Sequence, residues 1–174
     1  MLQSLLAIFL WLALPANCAR SDLRNRDPFS PRPSLHHRVP RATVITLRRT
    51  ACFGTCPVYK LTIFADGRVL YEGISHVKKK GKAKGRISPA KLEELIEEFQ
   101  NIYYFNLKNA YIPGTDACRQ SATDMPSAVT SLTRNGNSKT INHYHGCRGS
   151  QTLDLLTRLE DKIDEAVNVN QWIK

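Results

Sequence analysis

Two dipeptides, Asp66-Gly67 and Asn135-Gly136, constrain this chain more than anything else in it. Each sits between runs that alternate apolar and polar residues. An Asx-Gly pair readily supplies the left-handed backbone that a tight hairpin needs, so each pair makes its flanking runs antiparallel neighbours. The first hairpin joins residues 58–64, with Tyr59, Leu61 and Ile63 on one face, to residues 68–77, where Val69 and Tyr71 share a face. The second joins 128–134 to 138–145. A further β-rich segment, 43–49, carries Val44, Ile45 and Leu47 and precedes the first hairpin.

Twice the apolar period changes from two to about 3.6 residues. Ser88-Pro89 reads as a helix N-cap followed by proline at the first helical position. Leu92, Leu95, Ile96, Phe99 and Ile102 then form one stripe, and Glu93, Glu94, Glu97 and Glu98 cover the other side. Residues 151–167 turn Leu153, Leu156, Leu159, Ile163 and Val167 inward, and Trp172 closes against the core. Residues 103–125 are irregular. The order β-β-β-α-β-β-α predicts an α+β fold: a mainly antiparallel sheet of about five strands with two amphipathic helices on one face.

The amino-terminal 42 residues are of a different kind. Residues 1–19 carry no charged side chain, and 5–14 are almost purely apolar. Such a run is about half the roughly 20 residues a membrane-spanning helix needs. It has the length of a signal-peptide core, and Pro15 with the small residues after it marks the cleavage region. Lipid attachment at Cys18 is the alternative, but Pro15 and Asn17 stand where a lipidation signal calls for Leu and a small residue. The expectation is an exported chain, periplasmic or secreted, with no transmembrane span in its mature part. Residues 20–42 hold Pro28, Pro31, Pro33, Pro40 and six Arg, and bury too little to offset the entropy of ordering them. They read as a disordered basic linker, and residues 43–174 as a single domain.

With Cys18 in the leader, four cysteines remain: Cys52, Cys56, Cys118 and Cys147. An even count in an oxidising compartment points to two disulfides, for which three connectivities exist. Cys52 and Cys56 are close enough in sequence for a local bridge, which would leave Cys118 to Cys147. A bridge closing a loop of about 30 residues contributes about 2–4 kcal/mol.

The net charge of +10 is carried entirely by residues after the leader. It points to anionic partners such as an envelope polymer or a lipid headgroup. Lys78, Lys79, Lys80, Lys82, Lys84 and Arg86, spaced by Gly81 and Gly85, read as a basic loop, either a solvated hairpin-to-helix connection or a site able to bind phosphate or acidic glycan. Nucleic-acid recognition wants stacking aromatics among such charges. This segment has none, and export argues the same way.

The segment Cys52-Phe53-Gly54-Thr55-Cys56-Pro57-Val58-Tyr59 has a further meaning. Together with Asp66-Gly67, Tyr71-Glu72-Gly73, Thr123-Asp124-Met125-Pro126 and Gln171-Trp172-Ile173, it resembles an uncharacterised bacterial family, the domain of unknown function 6438. The likeness runs from about residue 43 to 172. It implies a single-domain, envelope-directed protein and transfers no catalytic role. The cysteines 118 and 147 lie outside the family's core motif, and their joint presence fits one extra bridge.

A second reading competes at the same cysteines. Cys-x-x-x-Cys-Pro with a distant His is similar to the site of the Sco copper-assembly proteins, and thiolates with imidazole suit copper. Here His143 and His145 lie 87 and 89 residues beyond Cys56. They share one face of a strand, either as a metal pair or as two polar residues on the solvent side. Against copper, the Sco motif leads into a helix, and here a strand pattern follows. Asp116 and Asp124 flank Cys118 and are better read as turn formers than as a carboxylate pair. No G-x-S-x-G elbow or phosphate-cradling glycine loop occurs. The sequence therefore predicts a non-enzymatic binding or structural module of the envelope, with no cofactor. The alternative is a copper or thiol-redox protein built on Cys52, Cys56, His143 and His145.

Overall fold

The computed structural model describes residues 39–174. The expected signal peptide, and the expected linker as far as residue 38, lie outside the described residues.

Strands β1 (Val44–Arg49), β2 (Val58–Phe64), β3 (Arg68–Ser75) and β4 (Gly81–Arg86) come first. Helix α1 (Pro89–Asn101) follows, then a 3-10 turn (Tyr104–Asn106) and the two-residue strands β5 (Ala110–Tyr111) and β6 (Gln120–Ser121). After them come β7 (Ser127–Arg134), β8 (Asn137–Tyr144), β9 (Cys147–Arg148), α2 (Gln151–Ala166) and the short α3 (Asn170–Ile173).

Local chemistry accounts for the boundaries. At the second hairpin, Asn135 and Gly136 have φ of 52° and 79°, the paired left-handed residues of a type I′ turn. In the first, only Gly67 is left-handed, at 78°, and its N–H donates to Phe64. The Ser88 side chain accepts from the Lys91 N–H and caps α1, and Ser150 accepts from the Thr152 N–H to cap α2.

The main sheet has seven strands in the order β4-β3-β2-β1-β7-β8-β5, antiparallel except where β5 runs parallel to β8. The α+β class stands, but about five strands was too few. Two additions explain the difference. One is β5. The other is β4, formed by residues 81–86 of the expected basic loop. That stretch lacks large apolar residues because its inward positions are Ala83 and Gly85. A Cβ on Gly85 would lie 3.1 Å from the Trp172 ring, so the small residue leaves room for the indole.

One face of the sheet carries Ile45, Leu47, Tyr59, Leu61, Ile63, Val69, Tyr71, Ala128, Leu132 and Ile141, all buried. Leu92, Leu95, Ile96 and Phe99 of α1, and Leu153, Leu156, Leu159 and Ile163 of α2, complete this core. Trp172 stacks on Tyr71 with ring centroids 4.7 Å apart. Disulfides join Cys52 to Cys56 and Cys118 to Cys147, the second beside a small ladder of β6 and β9. Among the described residues, no helix is long and apolar enough to cross a membrane.

Candidate functional site

The helices cover one face of the sheet, and strand register dictates what the other displays. Side chains alternate along each strand, so the positions between the core residues all point away from the helices. Reading across neighbouring strands, Lys82 pairs with Glu72, Glu72 with Lys60, Lys60 with Arg48 and Arg48 with Val129. The next row is Lys84, Leu70, Thr62, Thr46, Ser131 and Thr140. Beyond it, Arg86 pairs with Arg68 on β3.

This face therefore holds six cations, Arg48, Lys60, Arg68, Lys82, Lys84 and Arg86, against one carboxylate, Glu72. All six cations are exposed. Arg68 is held by Asp66 at 2.6 Å and lies over the Phe64 ring, and Arg86 donates to the Asp66 carbonyl. Arg48, Lys60, Lys82 and Lys84 enter no ion pair with another described residue. Two pairs, Arg48 with Lys60 and Arg68 with Arg86, set like charges directly opposite each other. That arrangement is unfavourable in a sheet. Beside Lys60 and Arg48, and in line with Lys84, runs a row of hydroxyls, Thr62, Thr46, Ser131 and Thr140, within which Thr46 and Ser131 are bonded at 2.6 Å.

The expected basic cluster is thus divided. Lys82, Lys84 and Arg86 stand on β4, while Lys78, Lys79 and Lys80 lie in the bend before it, exposed. That bend is fastened by its backbone: the Lys79 N–H donates to Trp172, and the Lys79 carbonyl accepts from Tyr71 Oη at 3.2 Å. Arg48, Lys60 and Arg68 escaped the sequence reading because they are isolated in the chain. Only strand pairing brings them beside β4.

The second polar concentration is buried under α2. Glu160 is fully buried and accepts from His143 Nδ1 at 2.9 Å and His145 Nε2 at 2.7 Å. The two imidazoles stack with centroids 4.8 Å apart. His143 is only 2% exposed, so the expectation of a histidine pair on the solvent side fails for it. The inward parity of Ile141 carries through to His143, and Glu160 sits within the apolar stripe of α2 between Leu156 and Ile163. Arg49 extends from the end of β1 to Glu160 at 3.4 Å, Asp161 at 3.0 Å and Asp164 at 2.8 Å. Tyr59 Oη donates to Asp164 at 2.8 Å.

Burial works against the charge on Glu160, but hydrogen bonds from His143 and His145 prevail and hold its carboxyl below the ordinary range. Burial likewise opposes the Arg49 charge, yet Asp164, Tyr59 and Glu160 keep the guanidinium firmly protonated. Burial, then the adjacent Asp164 charge, pushes the Tyr59 phenol far up. Donor atoms of His143, His145 and Glu160 lie within 4.8 Å of one another, so these are the groups able to hold a metal among the described residues. Arg49 already supplies positive charge there. Cys52 and Cys56 are bonded to each other.

The family follows from the chain itself. Residues 43–167, running from the start of β1 to the end of α2, match the sequence family described as "Domain of unknown function (DUF6438)". The chain belongs to the DUF6438 family. No curated protein matches it.

Several motif residues of this DUF6438 domain now have a structural reason. The Phe53 N–H donates to the Asp124 carbonyl, so the cysteine loop and the Thr123-Asp124-Met125-Pro126 segment support one another. A Cβ on Gly73 would collide with the Lys79 carbonyl oxygen, because the bend before β4 passes directly over it. Asp124 has a left-handed backbone and accepts from its neighbour Thr123, whereas Asp116 pairs with Lys108 at 2.8 Å. Each carboxylate has its own local partner.

Proposed function

We propose that this domain is a non-enzymatic binding module of the bacterial cell envelope that takes an acidic glycan chain on the open face of its sheet. The observation that carries the reading is a face with six cations and one carboxylate, on which Arg48 and Lys60 stand directly opposite each other across β1–β2 without an ion-pair partner among the described residues. A merely soluble surface would intersperse the two signs. An anionic chain laid across these strands relieves the repulsion, and the hydroxyl row beside Arg48 and Lys60 offers hydrogen bonds to sugar oxygens. Disulfide staples suit a domain that works outside the reducing cytosol.

The copper or thiol-redox reading requires Cys52 and Cys56 as thiolates. Their disulfide favours the binding reading, and thiol counting on the purified, unreduced protein separates the two. Finding two free thiols together with stoichiometric copper would reverse the preference.

The glycan reading is tested with dextran sulfate as the probe. Wild-type affinity is expected to fall steeply as salt rises, since the contacts are exposed charges. Replacing Arg48, Lys60, Lys82 and Lys84 together by Ser is expected to weaken binding at least tenfold and flatten the salt dependence. The triple change Lys78→Ser, Lys79→Ser, Lys80→Ser tests the bend separately and is expected to do less. Unchanged binding after the fourfold change would overturn the proposal.

A further inference from the structure

A second basic feature lies at the opposite edge of the sheet, near β5. There a cavity of about 340 Å³ is lined by Lys108, Asp116, Arg119, Arg148, Ser150 and Thr152, among others. Lys108, Arg119 and Arg148 give its wall three cations against the single carboxylate of Asp116. That carboxylate is itself paired with Lys108 and largely exposed. Those side chains, rather than the amino end of α2 beside them, supply the charge.

The wall is also braced. Arg119 follows Cys118 and Arg148 follows Cys147, so the disulfide between these cysteines fixes the spacing of the two arginines. The β6–β9 ladder, pairing Gln120 with Arg148, ties the same segments a second time. Arg148 Nη1 donates to the carbonyls of His145 at 2.8 Å and Cys147 at 3.1 Å. One corner of the guanidinium is thereby anchored, and its planar fork keeps further donors for a ligand. Gly149 has φ of 90° and nothing within 4 Å of where a Cβ would stand, so the backbone beside the arginines is open.

From the cavity, the three cations and the anchored guanidinium we infer that this is a binding site for a small phosphate-type oxyanion. Two forked guanidiniums with a flexible ammonium match a tetrahedral oxyanion, each arginine able to present two parallel N–H groups. The site is independent of the open-face reading. The strand order places five strands between β4 and β5. At about 4.8 Å per strand step, the two features are separated by roughly 29 Å.

The experiment is a titration of the ¹⁵N-labelled protein with inorganic phosphate at constant ionic strength, with chloride as the reference anion. The expected result is saturable shifts in the Gly149 and Ser150 amides and in the arginine Nε–H signals, seen with phosphate and not with chloride. Arg119→Gln with Arg148→Gln is expected to weaken phosphate binding at least tenfold while the remaining spectrum stays folded. Glycerol phosphate in place of phosphate tests whether a monoester also enters. The Lys60→Ser, Lys82→Ser, Lys84→Ser variant is expected to titrate as wild type. Shifts equal for chloride and phosphate, no saturable shift at residues 108–119 and 148–152, or undiminished binding there in the double arginine variant would each overturn the site. Loss of dextran sulfate binding on the open face would leave it standing.

Discussion

Arg48 and Arg49 are neighbours in sequence with opposite duties, because a strand sends consecutive side chains to opposite faces. Arg48 projects from the open face. Arg49 reaches under α2 to three carboxylates. Removing one partner from a buried ionic network leaves an uncompensated charge, at a cost of about 3–5 kcal/mol. Arg49→Ala is therefore expected to lower unfolding stability in urea by about 3 kcal/mol, and Arg48→Ala by no more than about 0.5 kcal/mol. Equal effects would mean that the network does not hold α2 to the sheet. The tyrosines make a pH prediction. Burial comes first among the causes that raise the phenols of Tyr59 and Tyr104 above their ordinary 10.0. Above pH 10 the unfolded chain can release protons that the native state retains, so stability must fall as pH rises. Ultraviolet titration should show these two phenols ionising only as the fold is lost. The buried network was partly legible beforehand: Glu160 falls on the apolar stripe of α2, and His143 has the parity of Ile141. Its assembly was not legible, since Arg49 lies 111 residues from Glu160.

At the level of elements, both hairpins, both long helices and the serine cap of α1 could be read from turn chemistry and apolar period, whereas the Ser150 cap of α2 emerges only in the structure. What escaped were elements without an apolar signature. β5 is two residues long, and β4 alternates lysine with alanine and glycine. Its place is set by Trp172 and by the backbone of residues around Lys79, contacts that no local pattern reveals. Gly73→Ala should accordingly be costly, since its Cβ would meet the backbone oxygen of Lys79 rather than a flexible side chain. A loss of about 1–3 kcal/mol is expected in thermal or urea unfolding. The two disulfides should also differ. Cross-link entropy grows with the closed loop, giving about 2 kcal/mol for the short Cys52–Cys56 bridge and between about 3 and 4 kcal/mol for Cys118–Cys147. Paired Cys→Ser variants, compared by urea unfolding, are expected to show that order.

For the whole molecule, the distribution of charge says more than its sum. The total of +10 was visible in the sequence, but it gives no direction. Helix α1 holds four Glu against Lys91, and α2 holds five acidic residues against Arg158 and Lys162, so the helical layer is acidic. The cations of the open face come from four strands, and no window of sequence shows them together. The domain is thus polarised across its own thickness, and an acidic surface should orient it with the sheet toward the anion and the helices outward. Lysine acetylation on dextran sulfate beads can read that orientation. Lys60, Lys82 and Lys84 should become protected on binding. Lys91 and Lys162, which pair with glutamates on the helices, should react as they do in free solution. Protection spread evenly over both layers would mean that net charge alone, with no particular face, drives the association.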